Sequence, residues 1–239
     1  MSLFEAAQAQ LLSPIYLGWL LEGWLTTLWA ALVVIVVSTL LGVGFAAART
    51  STRSGARRLA ALYLSAFRNT PLLVQLFFWY FGAPSLLPQA AREWLNAGHR
   101  FWPSFEVLSA LVGLVLYATA FVGEELRAGM RGVPDTQLQA GTALGFTRAQ
   151  VLRHVTLPQA IRIAASPLLG QYMNIVKNTS LAMAVGLVEL SYTARQVEAE
   201  TFKTFQAFGF ATLFYVVTIA ALELLSARLS RRQAVLPRA

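Results

Sequence analysis

Runs of about 20 apolar residues, separated by short polar stretches, constrain this chain more than any other feature. A helix needs about that length to cross the hydrocarbon core of a bilayer, and in lipid each backbone donor and acceptor has to be satisfied within the segment. The runs lie near residues 24–48, 59–82, 105–122, 159–190 and 206–227. They predict an all-α polytopic membrane protein with about five transmembrane helices. The formal net charge of +8 would also suit nucleic acid, but its placement argues otherwise. Arg49, Arg53, Arg57 and Arg58 follow the first run, and Arg228, Arg231, Arg232 and Arg238 follow the last. Basic residues beside spans mark the cytoplasmic side. The expectation is an N-terminus outside, a C-terminus in the cytoplasm, and no nucleic-acid partner.

The same order predicts an interfacial segment at 1–23, a transmembrane domain at 24–228 and a basic cytoplasmic tail at 229–239. The first 21 residues contain Glu5 and no lysine or arginine, so a cleavable signal peptide is not expected. Ser13 and Pro14 read as the cap and first position of a helix, with Trp19 and Trp24 as interfacial anchors. Ser38, Gly42 and Ala46 form a small-residue stripe that lets another helix approach closely.

The longest polar insert is 133–158, VPDTQLQAGTALGFTRAQVLRHVTLP. Pro134 suits a first helical turn, and Leu138, Ala140, Gly141 and Leu144 follow at roughly helical spacing. Gly145 closes that helix in a left-handed cap. Thr147 opens a second helix and Gln150 completes a capping box. Val151, Leu152 and Val155 supply an apolar side, Arg148, Arg153 and His154 a basic one, and Pro158 marks the stop. Two capped helices between spans make a rigid knob suited to docking on a partner.

Other polar groups interrupt the apolar runs. Pro71, after Arg68, Asn69 and Thr70, predicts a kink; either the break lies within the membrane or the first half of that segment lies along the surface. Arg68 either snorkels to the inner surface or lines a pathway. In the third run Glu124 shares a face with Ser109, Gly113 and Ala120 and needs a partner, whereas Glu125 points away, near Arg127. Lys177, Asn178, Thr179 and Ser180 divide the fourth run, and a buried lysine there requires neighbours or a ligand to satisfy it. Such interruptions are where transporters place polar sites. Residues 83–103, with His99, Arg100 and Trp102, form an outer loop with a short interfacial helix near 86–95, and 191–205 a short polar outer segment.

The chain has no cysteine, and His99 and His154 are far apart, so no metal site is expected. Phosphate-loop, H-E-x-x-H, G-x-S-x-G and dinucleotide-turn patterns are absent. The chain is not expected to be an enzyme, and energy for transport has to come from a partner or an ion.

The motifs resemble those of permease subunits of bacterial ABC importers, specifically the polar amino acid permease family with its EAA loop. Gln139-Ala140-Gly141, Gly145 and Val155 to Pro158 match the spacing of the family's cytoplasmic loop. Arg68-Asn69-Thr70-Pro71-Leu72-Leu73-Val74-Gln75 is similar to its R-G-T-P-L-L-V-Q run, and Lys177 to Leu181 to its K-[DN]-T-S-L run. Tyr117, Ala118, Glu124 and Arg127 agree in part with a further block. The resemblance spans about Thr26 to Arg228. It implies the type I importer fold and an inner-membrane location. It also implies a second permease subunit, identical or related, two ATP-binding subunits that carry ATP and Mg, and an extracytoplasmic substrate-binding protein.

By that resemblance Gln139, Ala140, Gly141, Leu144, Gly145, Arg148, Arg153, Leu157 and Pro158 couple to the ATPase. Arg68, Asn69, Thr70, Gln75, Glu124, Lys177, Asn178, Thr179 and Ser180 are candidates for the substrate pathway. Similarity of 177–208 to acidic amino acid permeases suggests glutamate or aspartate, with glutamine or another polar amino acid otherwise. Gln139 and Gly141 depart from the loop motif; the first loses a charge, and the second weakens its helix by roughly 1 kcal/mol relative to alanine. An ion-coupled secondary amino acid transporter is the alternative, but it gives no reason for a capped two-helix loop.

Overall fold

A computed structural model describes residues 12–97 and 103–234, and every regular element among them is helical. Helix α1 (Pro14–Thr50) leads to α2 (Ser54–Asn69). Helix α3 (Leu72–Phe77) continues through a π turn (Phe78–Gly82) and a 3₁₀ turn (Ala83–Leu86), and α4 (Gln89–Asn96) precedes α5 (Phe105–Arg131). The polar insert holds α6 (Asp135–Ala143) and α7 (Arg148–Val151), after which a π turn (Leu152–Thr156) runs into α8 (Leu157–Asn178). A 3₁₀ segment (Thr179–Val185), α9 (Leu190–Thr201) and α10 (Thr204–Ala234) follow. Glu5, His99, Arg100, Trp102 and Arg238 lie outside the described residues.

Helices α1, α5 and α10 are each long and apolar enough to cross a bilayer, and 72–86 is a shorter apolar stretch. With the interrupted α8 segment this makes the all-α, polytopic architecture of about five membrane helices. Helix α1 begins at Pro14, and the Ser13 carbonyl accepts from the N–H groups of Tyr16 (3.1 Å) and Leu17 (3.2 Å). At about 55 Å it exceeds the bilayer core, so one uninterrupted helix holds both the expected interfacial tryptophans and the first span. The kink expected at Pro71 is a complete break: Thr70 is extended (φ −109°, ψ 131°) and α3 starts afresh. The mean hydropathy of α2 is not that of a span and its residues segregate by polarity. That favours the arrangement in which it lies along the surface.

The described residues group into two compact units. The first takes them from Met1–Val34, Pro71–Leu114 and Ile175–Ala221, the second from Ile35–Thr70, Val115–Asn174 and Leu222–Ala239. In the first, Leu12, Leu20, Leu190, Ala194, Val197, Ala207 and Ala211 form a buried cluster. Trp24 stacks on Phe214 at 5.2 Å and donates its indole N–H to Thr218 Oγ1 at 2.8 Å. The stretch 191–205, expected as a short polar outer segment, is mostly a packed helix. Leu190, Thr193, Ala194 and Val197 recur at helical spacing and are buried, a period hidden by the polarity of the residues between them.

In the second unit, helices meet at glycines. A Cβ on Gly42 would lie 3.1 Å from Val122 Cγ1, and one on Gly123 2.5 Å from Phe45 Cδ1, so the small-residue stripe of α1 is where α5 approaches. Tyr63 packs on Phe45 (5.6 Å between centroids) and donates its hydroxyl to the Leu116 carbonyl. Thr39 and Tyr172 share a 2.9 Å hydrogen bond between α1 and α8.

Candidate functional site

The insert at 133–158 folds as two short helices locked by their caps. Gly145 has φ +82°, the left-handed conformation that an L side chain resists. Phe146 N–H donates to the Gly141 carbonyl (3.1 Å) and Gly145 N–H to that of Thr142 (3.0 Å), a Schellman closure. Two residues on, Thr147 Oγ1 accepts from Gln150 N–H (3.4 Å) and Gln150 Oε1 accepts from Thr147 N–H (2.8 Å), completing the capping box.

Two sequence expectations for this loop change, at Pro158 and Leu152, and Gly141 gains a packing role. Gly141 is buried, and a Cβ there would sit 3.2 Å from Val151 Cγ2 and 3.4 Å from Val155 Cγ2. Its missing methyl lets α6 close on α7 and the π turn, besides lowering local helix propensity. Pro158 does not stop the helix: α8 begins at Leu157, whose N–H donates to the Leu152 carbonyl across the π turn. The wider turn moves preceding carbonyls away from the proline ring, and the Gln159 side chain donates to the Val155 carbonyl at 3.1 Å. Leu152, expected on the apolar side, is exposed, because i,i+4 spacing places it above Arg148.

The outer surface of the loop is apolar at its tip and basic at its flank. Leu144 is 77% exposed, and Phe146, Leu152 and Leu157 are exposed as well. Gln139, Ala140, Arg148, Arg153 and Pro158 are exposed with them. The base is rigid. A Cβ on Gly129 would fall 2.7 Å from the Ala160 carbonyl oxygen and 2.8 Å from Ala164 Cβ, and one on Gly132 3.1 Å from Ile163 Cγ2. The end of α5 and the start of α8 thus touch backbone to backbone.

The polar residues predicted along a pathway fall in both units. In the second unit, Arg68 lies over the Phe121 ring, 5.4 Å from its centroid. Asn69 donates to Ser65 Oγ (3.2 Å) and Thr70 to the Ala66 carbonyl (2.8 Å). Glu124 does have a partner, but it is Arg127, in a bidentate pair. Glu125, expected near that arginine, instead accepts from Gln171 at 3.2 Å. One turn of helix brings Arg127 back over Glu124, whereas Glu125 faces α8.

In the first unit, Gln75 is buried on α3, which packs against the 3₁₀ segment Thr179–Val185. Lys177, expected to be buried, is exposed, and Asn178 is half-buried. The helix face that buries Ile175, Val176 and Thr179 turns the lysine outward. Thr179 and Ser180 use their hydroxyls to hold the Val176 (2.8 Å) and Lys177 (2.7 Å) carbonyls left open where α8 ends.

Sequence reasoning passed over Glu189, counting its neighbourhood as an apolar run. It is fully buried and caps α9: its carboxylate accepts from Tyr192 N–H (2.9 Å), the Tyr215 hydroxyl (2.7 Å) and the Thr27 hydroxyl (3.4 Å). A single acid among Leu187, Val188 and Leu190 was the available signal. Also missed was a cleft of about 490 Å³ in the same unit, lined in part by Trp19, Glu22, Thr26, Ser104 and Gln196.

A family model for the inner membrane component of binding-protein-dependent transport systems matches residues 38–235. The chain belongs to that family. This permease is 34% identical over 226 residues to the glutamate/aspartate import permease protein GltJ of Escherichia coli K12, covering 94% of this chain and 91% of that protein. It is 35% identical over 204 residues to the probable glutamine ABC transporter permease protein GlnM of Bacillus subtilis 168, covering 85% and 88%. An amino acid ABC transporter crystallised with histidines superposes with a TM-score of 0.79 at 23% identity, over 97% of this permease and 99% of that chain. The inward-facing MetNI methionine transporter gives 0.72 at 17% identity, over 92% and 99%. These likenesses establish the type I importer permease fold, and with the relatives they make the chain a permease of the polar amino acid ABC importers.

Proposed function

We propose that this permease passes a polar amino acid, preferentially glutamate or aspartate, across the inner membrane by alternating access, driven by ATP that separate subunits bind with Mg and hydrolyse. Two permease subunits pair, two ATP-binding subunits receive their loops in the cytoplasm, and an extracytoplasmic binding protein delivers the substrate. The N-terminus lies outside and the C-terminus inside, a topology that the arginine-rich segments favour. The doubly capped loop with its exposed Leu144 tip carries the reading. An exposed apolar tip needs a partner surface, and only a stiff loop joined to α5 and α8 at their glycine contacts transmits a displacement to membrane helices. The substrate preference is supported by the similarity to GltJ across nearly the whole chain.

The test is co-purification from native membranes followed by uptake in proteoliposomes. An ATP-binding subunit should accompany the permease, and uptake should need ATP and a binding protein and favour acidic amino acids over glutamine. A cysteine placed at Leu144 should resist an impermeant thiol reagent in intact cells and react in inverted vesicles. Labelling from outside, or uptake driven by an ion gradient without ATP, would overturn the reading.

A further inference from the structure

Three guanidinium groups from three helices gather around one carboxylate in the second unit. Arg127 Nε lies 3.0 Å from each carboxylate oxygen of Glu124, and its Nη2 makes a further contact. Arg68 lies over Phe121, one turn before Glu124 on the same side of α5. Arg49 stands one turn beyond Phe45 on α1, and the Phe45 ring presses on the backbone of Gly123, the residue next to Glu124. Arg49 and Arg68 both act electrostatically on Glu124. Arg49 Nε is buried and has no hydrogen-bond partner.

Glu124 neutralises one of these three cations, and its bidentate geometry assigns it to Arg127. Two guanidinium groups remain, one with a buried donor lacking an acceptor, an arrangement that native structures rarely tolerate. The planar fork of arginine matches the paired oxygens of a carboxylate or a phosphate.

We infer that Arg49, Arg68 and Arg127 form an oxyanion site in which Glu124 holds the place of the ligand. An arriving carboxylate or phosphate bonds Arg49 and Arg68 and competes with Glu124 for Arg127. A carboxylate would come from the amino acid on its way through the permease, which rests on the transport reading above. A phosphate would come from an anionic lipid headgroup at the membrane boundary, which needs only that α1 and α5 span the bilayer.

The experiment uses the whole transporter complex in phosphatidylcholine nanodiscs. One arm titrates L-glutamate and measures binding; the other adds phosphatidylglycerol and measures its retention by native mass spectrometry. Arg49→Gln and Arg68→Gln should each weaken one of the two by about tenfold, the loss of one charge-assisted contact. Glu124→Gln, which removes the competing charge at nearly constant volume, should strengthen the same one. An effect confined to glutamate identifies the substrate as the source, and one confined to phosphatidylglycerol identifies the lipid. If both probes bind unchanged in all three variants, there is no such site. Should an arginine variant fail to assemble, Glu124→Gln decides alone: tighter binding supports the site and unchanged binding removes it. ATP-driven uptake by the unaltered complex is measured in parallel. Uptake without oxyanion binding sinks this proposal and spares the transport reading; binding without uptake does the reverse.

Discussion

The Glu189 carboxylate accepts a 2.7 Å hydrogen bond from the Tyr215 hydroxyl, tying the start of α9 to α10. With Tyr192 N–H and the Thr27 hydroxyl it makes a network, centred on the buried Glu189 and Thr27, that joins α1, α9 and α10. Removing one partner from a buried hydrogen-bonded group costs about 1–3 kcal/mol. Tyr215→Phe should therefore lower the thermal midpoint of the purified complex by several degrees. Tyr16→Phe, whose hydroxyl meets Glu200 in the open, should leave it nearly unchanged. Equal midpoints for the two variants would show that the network contributes nothing.

Gly129→Ala places a methyl against the backbone carbonyl of Ala160, which cannot swing away as a side chain would. Such overpacking destabilises by about 1–3 kcal/mol. Gly209→Ala meets no atom within 4 Å and should be neutral, or stabilising by up to about 1 kcal/mol through helix propensity. Complex yield and thermal midpoint in detergent distinguish the two, and tolerance of alanine at both positions would refute close packing at the base of the loop.

Gly145→Val forces a β-branched residue to φ +82°, a strain of roughly 1–2 kcal/mol or more. Bending the Schellman closure should leave ATP hydrolysis running while uptake falls, whereas Gly145→Asn, which tolerates the left-handed region, should retain coupling. Normal coupled transport by the valine variant would count strongly against a docking role.

Because Lys177 is exposed, Lys177→Ala should not disturb folding of the subunit. If the lysine works on the substrate path, uptake will fall while the amount of assembled complex stays constant. Parallel loss of both would assign it to packing between subunits.

How much was legible in advance follows from the range of each interaction. The caps at Gly145 and Thr147 were readable because each depends on residues within one helical turn. Pro158 misled: a π turn that packs on α6 beside Gly141 accommodates it, and a proline alone reads as a stop. For residues 191–205 the average polarity masked the buried face of α9. Lys177 was expected inside since the segment around it is apolar, yet burial of Ile175, Val176 and Thr179 decided which way the helix faces.

The sequence by itself determined that the chain is a set of membrane helices with a stiff two-helix loop, because apolar run length, capping residues and glycine placement act locally along the backbone. Only the tertiary structure decided the pairing of the polar groups. Between helices, Glu125 goes to Gln171, and Glu189 joins partners 26 and 162 residues away. Those pairings depend on the distances at which helices settle against each other, and these are set by packing volumes at contacts such as Gly42, Gly123 and Gly129, which no local pattern encodes.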